Sequence, residues 1–362
     1  MKYWKWLILT LSMMVAFALL VVAFNLFIDH HGVRLSLFGG HKAFDQTIYP
    51  DGLNQHMFNP ERIFRSPEKY DSFLFGSSRT SVIDVDRIAT GKFCNMSYSL
   101  GLPDQHLAIV KAFLKKGIRI KTVVIGLDEI SFDPPPMARA EHLVRIMHPD
   151  IGGPSRLTIF GMYFFRKPPM KELSLWKERV LQGKIDGKLI LSAANVNLGW
   201  LKKDNMIEMT GRPLFNPAVS KHAPVTYNPQ NGDEAFAVIE EFIALARAHH
   251  FELIFYINPF YAQLYLDHAT ALFAVKERLA ALTDFYDFSG LNSVTINPLN
   301  YYDADSHYNY KVGALILDRI FDGSRKQAPD DFGVKVTRAN IKGHLEDQRQ
   351  ELNRYLREAR FK

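Results

Sequence analysis

Two short stretches of this sequence bring together residue types suited to moving an acyl group. In Phe73-Leu74-Phe75-Gly76-Ser77-Ser78-Arg79-Thr80-Ser81, an apolar run meets a glycine and then small hydroxyl side chains. The glycine lets the backbone turn sharply, so a following serine can stand at the end of a strand with its hydroxyl exposed. Serine at such a position is otherwise a helix cap. In Tyr301-Tyr302-Asp303-Ala304-Asp305-Ser306-His307-Tyr308-Asn309, a histidine has acids two and four residues before it. An imidazole that takes a proton from a serine needs a carboxylate on its other ring nitrogen, which fixes the tautomer and stabilises the imidazolium. In an extended loop Asp303, Asp305 and His307 share a face. The nearer acid, Asp305, is then the expected partner, because Asp303 reaches His307 only if the loop curls back. Acids ahead of a helix also favour its dipole, which is the plain alternative for this loop.

Other chemistries find less support. The single cysteine, Cys94, excludes an internal disulfide framework and a cysteine-based zinc cluster. The 13 histidines are scattered, and none shows the helical spacing of a metal motif, so no metal or cofactor is expected. His249 and His250 close a charged helix, where a cation is favourable. A net charge of +6 comes from 44 basic and 38 acidic residues interspersed along the chain rather than from a basic tract, so nucleic acid is not an expected partner.

The elements that must position these residues read as alternating strands and helices. Four apolar runs bounded by turn signals look like buried parallel strands: Ser72 to Phe75, Thr122 to Ile125, Leu253 to Ile257 and Asp284 to Phe288, with Asn95 to Tyr98 as a further short one. Helical spacing appears at His106 to Lys116 (Leu107, Val110, Phe113) and at Asp233 to Ala248 (Phe236, Ile239, Phe242, Ile243, Leu245). The alternation predicts an α/β fold with a parallel sheet. Residues 134–229 break the rhythm with proline clusters (Pro134-Pro135-Pro136, Pro168-Pro169) and aromatic stretches. An insertion after a strand's C-terminal end lies near the ligand crevice, so it reads as a lid or as a packing subdomain. After Phe321 a polar linker leads to a last helix whose Ile341, Leu345, Leu352 and Leu356 form an apolar stripe for the domain or a partner. The expected organisation is therefore 1–30, 31–70, 71–322 with the insertion, and 323–362.

The N-terminus carries Lys2 and Lys5, then an apolar run from Trp6 to Ile28 interrupted only by Thr10, Ser12 and Asn25. As a helix this run spans the roughly 30 Å of a hydrocarbon core. Ala16-Phe17-Ala18 has the form of a signal-peptidase site, but the apolar run continues for ten positions past it, broken only by Asn25, so an uncleaved transmembrane anchor is expected. The lysines stay in the cytoplasm by the positive-inside rule, which puts everything after about residue 30 outside, on a single-pass inner-membrane protein.

Together the two motifs resemble the SGNH hydrolase-like superfamily, in particular its membrane-anchored branch related to polysaccharide O-acetyltransferases and esterases. Gly76-Ser77-Ser78 looks like the nucleophile block, with Ser78 at the serine position. Gly101 in Asn95-Met96-Ser97-Tyr98-Ser99-Leu100-Gly101 is similar to the second block, whose glycine N–H serves the oxyanion hole. Gly126-Leu127-Asp128-Glu129 looks like the third block, and Asp305-Ser306-His307 like the last. The resemblance covers about residues 70 to 130 and 250 to 322. It implies a three-layer, flavodoxin-like parallel sheet, no cofactor, an acylated carbohydrate or other ester as substrate, and Ser78 and His307 as nucleophile and base. Two departures stand out. Asp128 occupies the place of an asparagine that donates to the oxyanion, and an ionised carboxylate only accepts. The usual acid three residues before the histidine is Ala304 here, and Asp305 at minus two matches alginate O-acetyltransferase relatives. Both departures also fit a second reading, a non-catalytic envelope protein that keeps the fold to bind a glycan or a membrane partner. Arg79 beside the serine is a candidate for a substrate anion or a structural salt bridge. Asn258, Pro259 and Tyr261 follow a strand and are candidates to line the pocket, and Tyr308 to stack on a sugar.

Overall fold

The computed structural model describes residues 2–40, 44, 48–49, 52–139, 142–168, 174, 177, 189–217, 223–321 and 328–359. The linker at 322–327 and Pro169 lie outside the described residues. From the N-terminus the elements are α1 (Lys2–Ile28), α2 (Val33–Phe38), β1 (Ile48–Tyr49), α3 (Gln55–Arg65), β2 (Ser72–Phe75), β3 (Phe93–Asn95), α4 (Pro103–Lys115) and β4 (Thr122–Leu127). They continue with α5 (Pro136–Arg139), α6 (Arg156–Phe164), β5 (Leu189–Ile190), α7 (Leu201–Thr210), α8 (Pro229–His249) and β6 (Glu252–Ile257). The last are α9 (Ala262–Leu282), β7 (Phe285–Asp287), α10 (Tyr310–Phe321), β8 (Val334–Val336) and α11 (Ile341–Ala359).

The chain forms two compact units, Met1–Ser66 with Glu141–Leu191, and Pro67–Ala140 with Ser192–Lys362. The residues expected as one insertion, 134–229, are shared between the two units. Residues 141–191 group with the N-terminal residues, where Leu189–Ile190 pairs antiparallel with Ile48–Tyr49, and 134–140 and 192–229 belong to the sheet unit.

In the first unit, 26 residues of α1, Tyr3–Ile28, form a helix long and apolar enough to cross a membrane. Its C-terminal end is held by a small core in which Val22 meets Val33, Leu37, Met57, Ile159, Tyr163 and Phe164. Asn25 closes this contact: its Nδ2 donates to the carbonyls of Phe164 (2.8 Å) and Arg166 (2.9 Å).

The second unit is a mixed α/β structure around a six-stranded sheet of order β3-β2-β4-β6-β7-β8. The first five strands are parallel and β8 runs antiparallel to β7. Alternate residues point to opposite faces, and the packing follows. On one side Leu74, Val124 and Tyr256 share a buried cluster with Val312, Leu315 and Ile316 of α10. On the other, Phe73 meets Phe113 of α4 at 5.0 Å between ring centroids, and Phe255 meets Phe242 of α8 at 6.4 Å. The helical faces expected at Leu107, Val110 and Phe113 and at Phe236, Ile239 and Phe242 are buried. The expected strand at Asn95 to Tyr98 lies earlier, at Phe93–Asn95, and β8 is an additional edge strand. The C-terminal stripe packs on the domain itself, with Ile341 and Leu345 buried. Beneath it, the fully buried Lys276 Nζ lies 2.8 Å from Asp287 Oδ2 and donates to Gln348 Oε1 (2.7 Å), while His344 Nε2 is 2.7 Å from the same carboxylate.

Candidate active site

The order of the parallel strands puts β2 and β4 side by side at the point where the chain reverses its direction of winding, with the C-terminal ends of β2, β4, β6 and β7 at one edge. Such an edge is where open α/β sheets hold their ligands. Ser78 starts a short 3-10 turn, Ser78–Val82, directly after β2, capped by Ser77, whose Oγ accepts the N–H of Arg79 at 3.3 Å. A Cβ on Gly76 would stand 2.6 Å from the Thr80 side chain, so a larger residue there would have to displace Thr80 from the turn. Asn95, buried at the end of β3, holds the turn from below by donating to the carbonyls of Thr80 (2.9 Å) and Ile83 (3.2 Å).

His307 arrives from the loop between β7 and α10. That loop is pinched at its base: the Tyr302 N–H donates to the His307 carbonyl at 2.7 Å, and Tyr301 bridges Tyr308. Its Nε2 is 2.8 Å from Ser78 Oγ, across 229 residues of sequence. Its Nδ1 is 2.9 Å from both carboxylate oxygens of Asp303, and the His307 N–H donates to Asp303 Oδ1 at 3.2 Å. The expected choice of Asp305 is therefore corrected. The loop is not extended: Ser306 has φ +66°, its buried Oγ accepts the N–H of Tyr261 at 2.8 Å, and the chain curls so that the acid four residues back meets the ring. Partial burial pushes the Asp303 carboxyl up, but the hydrogen bond and charge of His307, with a smaller contribution from Lys203, outweigh it and hold the group below the ordinary range. Asp305 is exposed, and it is its backbone carbonyl that is used.

Arg79 is held by protein groups, which is the salt-bridge alternative rather than the contact with a substrate anion. Its Nε donates to the Asp305 carbonyl (2.9 Å), its Nη1 to Asp128 Oδ1 (2.9 Å) and Glu129 Oε2 (2.6 Å), and its Nη2 to Glu129 Oε1 (2.8 Å). The residue after the serine is thus tied directly to the loop of the histidine and to the end of β4. Burial would lower the guanidinium pKa, but Glu129 and then Asp128 hold it above the ordinary value. Burial dominates at Asp128 and raises its carboxyl, whereas the forked contact with Arg79 outweighs burial at Glu129 and lowers it. Arg79 thus makes a forked pair with Glu129 and a single contact with Asp128.

Three further assignments change with the geometry. The Gly101 N–H donates to the Tyr98 carbonyl at 3.1 Å, closing a turn rather than facing an oxyanion. What Gly101 supplies is closeness, since a Cβ there would lie 2.5 Å from the Gly76 carbonyl oxygen. Asn258 is fully buried, not a pocket wall: its Nδ2 donates to Asp128 Oδ1 (3.0 Å) and its Oδ1 accepts from the Tyr308 hydroxyl (2.9 Å). Tyr308, Pro259 and Tyr261 are buried with it. Among the described residues no three His, Cys, Asp or Glu side chains group where they could hold a metal ion.

The residue that sequence reasoning missed is Trp200. Its ring meets His307 edge-on, 5.3 Å between centroids at 84°, and Tyr302 at 5.2 Å, while Lys203 Nζ lies 4.5 Å over it. Tyr302 in turn donates its hydroxyl to Asp204 at 2.6 Å. Asn197, three residues earlier, donates its N–H to the Ser81 carbonyl at 2.9 Å. The segment 197–204 therefore walls the site on both the serine and the histidine side. The available signal was its position in an insertion that returns to the strands' C-terminal edge.

The geometry offers a hydroxyl nucleophile, a base in contact with it and an oriented carboxylate. Compared with models of protein families, with curated proteins and with solved structures, the chain matches none.

Proposed function

We propose that this chain is a membrane-anchored, extracytoplasmic serine esterase or O-acyl(acetyl)transferase, similar to SGNH hydrolases. The observation that carries the reading is the 2.8 Å contact of Ser78 Oγ with His307 Nε2, with Asp303 on the other ring nitrogen. In this mechanism Ser78 Oγ attacks an ester carbonyl carbon while His307 Nε2 takes its proton. The proton passes to the departing alkoxide, leaving an acyl-serine. Water or a sugar hydroxyl then attacks the acyl carbon as His307 takes its proton, and the acyl bond to Ser78 Oγ breaks as His307 returns that proton to the serine. Asp303 keeps the imidazole in the required tautomer. The first N–H groups of a helical turn have no acceptor within it, so the Ser78 N–H is the donor at hand for the oxyanion. The strand order of the five parallel strands is that of flavodoxin-like sheets, which supports the superfamily resemblance. The anchor directs the reading toward acyl groups on a cell-envelope or exported polysaccharide, outside the cytoplasmic membrane.

The test is hydrolysis of a chromogenic acetyl ester by the full-length protein in detergent. Ser78→Ala and His307→Ala should each lower turnover by several orders of magnitude. Equal rates in wild type and both variants would overturn the assignment. One observation favours a second reading, a non-catalytic protein that binds a glycan or a membrane partner: the Gly101 N–H and Asp128 are both committed within the fold, so neither position that the resemblance assigns to the oxyanion hole supplies a donor.

A further inference from the structure

Helix α6 has the composition of a buried element on a surface. Arg156-Leu157-Thr158-Ile159-Phe160-Gly161-Met162-Tyr163-Phe164 carries one charge, at its first residue, and Phe165 follows it. One face, Ile159, Tyr163 and Phe164, closes the small core against α1, α2 and α3. The other is open: Leu157 is 81% exposed, Phe165 59%, and Met162 is exposed between them. Phe38, at the end of α2 and 64% exposed, meets Phe160 edge-on at 6.3 Å and widens the patch. A helix that is apolar all round is ordinarily buried all round, and a contiguous exposed apolar surface marks something that covers it.

What covers it follows from α1. Twenty helical residues cross the roughly 30 Å hydrocarbon core, and twenty counted from Trp6 end at Asn25. That is the residue whose side chain grips the carbonyls of Phe164 and Arg166. The C-terminal end of α6 is therefore fixed at the level where α1 leaves the bilayer, and Arg166 and Lys167 follow at the height of anionic headgroups. We propose that α6, together with Phe38, lies in the outer interface of the bilayer. Leu157, Met162 and Phe165 are immersed at the boundary of headgroups and acyl chains, so the protein holds its membrane by a second, in-plane contact. The inference rests on α1 being an uncleaved span.

The experiment uses the full chain, with Cys94→Ala, in phosphatidylcholine–phosphatidylglycerol vesicles. A polarity-sensitive fluorophore is attached to one introduced cysteine at a time: Val15→Cys, Leu157→Cys, Phe165→Cys or Glu277→Cys, the last an exposed position on α9. The expected result is that labels at 157 and 165 are quenched severalfold more by lipids with a shallow nitroxide than the label at 277, while iodide quenches 277 severalfold more than either. Quenching at 157 and 165 should not change with the protein-to-lipid ratio. If both behave like 277 while the label at 15 is quenched by deep nitroxide lipid, α6 is not in the bilayer and this inference alone fails. If the label at 15 is also reached by iodide and not by lipid, the anchor reading fails. Blue-shifted emission at 157 and 165 that grows with protein-to-lipid ratio and ignores nitroxide lipid would mean that a second copy covers the face, which also overturns the proposal.

Discussion

Asp303 and Asp305 stand two residues apart on one loop, yet they have opposite fates. The first places both carboxylate oxygens 2.9 Å from His307 Nδ1 and the second offers only its backbone carbonyl, to Arg79. Loss of the orienting carboxylate of a serine triad lowers turnover by about four orders of magnitude, whereas an exposed acid elsewhere changes little. We therefore expect Asp303→Asn to abolish most hydrolysis of a chromogenic acetyl ester and Asp305→Asn to keep nearly all of it. A reversed pair of rates would sink the Asp303 assignment. The serine and the histidine were legible because a glycine closing an apolar run and an acid-rich loop before a helix are local signals. The choice of acid was not. It depends on the left-handed backbone of Ser306, held by the N–H of Tyr261 from 45 residues away. Arg79 was equally ambiguous in sequence, since the three carboxylate and carbonyl groups that occupy it arrive from two other loops.

The elements show the same division. β2, β4, β6 and β7 could be read from apolar runs between turn signals, and the helices beside them from their spacing. β8 could not, because three residues of alternating character become a strand only by pairing with β7. What keeps α11 and β7 together is also non-local: Lys276, Asp287, His344 and Gln348 come from three elements and meet with almost no exposure. The Asp287 carboxyl is pushed up by burial, yet Lys276 and His344 outweigh this and hold it well below the usual carboxylate range. Breaking a buried pair by removing one partner costs about 3–5 kcal/mol. Asp287→Ala should therefore lower the thermal unfolding temperature of the full-length protein clearly, and should loosen α11 first, as faster amide exchange over residues 341–359. Unchanged exchange there would mean that Ile341 and Leu345 hold the helix without the charge cluster. The insertion was legible as an interruption but not in its division, because hydrophobic pattern alone does not say to which of two units a segment returns.

For the whole molecule, the charge asymmetry about α1 predicts that a reporter active only outside the cytoplasm, fused after residue 40, is active and stays with the membrane fraction. A soluble mature form beginning near Leu19 would instead show that Ala16-Phe17-Ala18 is cleaved. The sheet order has a consequence for how such a molecule is made. Pairing of β4 with β6 joins Thr122 to Glu252, 130 residues apart, while pairing of β2 with β4 closes only the stretch from Ser72 to Thr122. Loop closure over the longer separation costs about 0.8 kcal/mol more, and long-range parallel pairing is slow. A chain emerging N-terminus first thus displays the serine of its turn long before the histidine, 229 residues later, exists to meet it. On the proposed esterase reading, ester hydrolysis in refolding should return only after the sheet's own signal has, because the hydroxyl is unarmed until the far half of the sheet has docked.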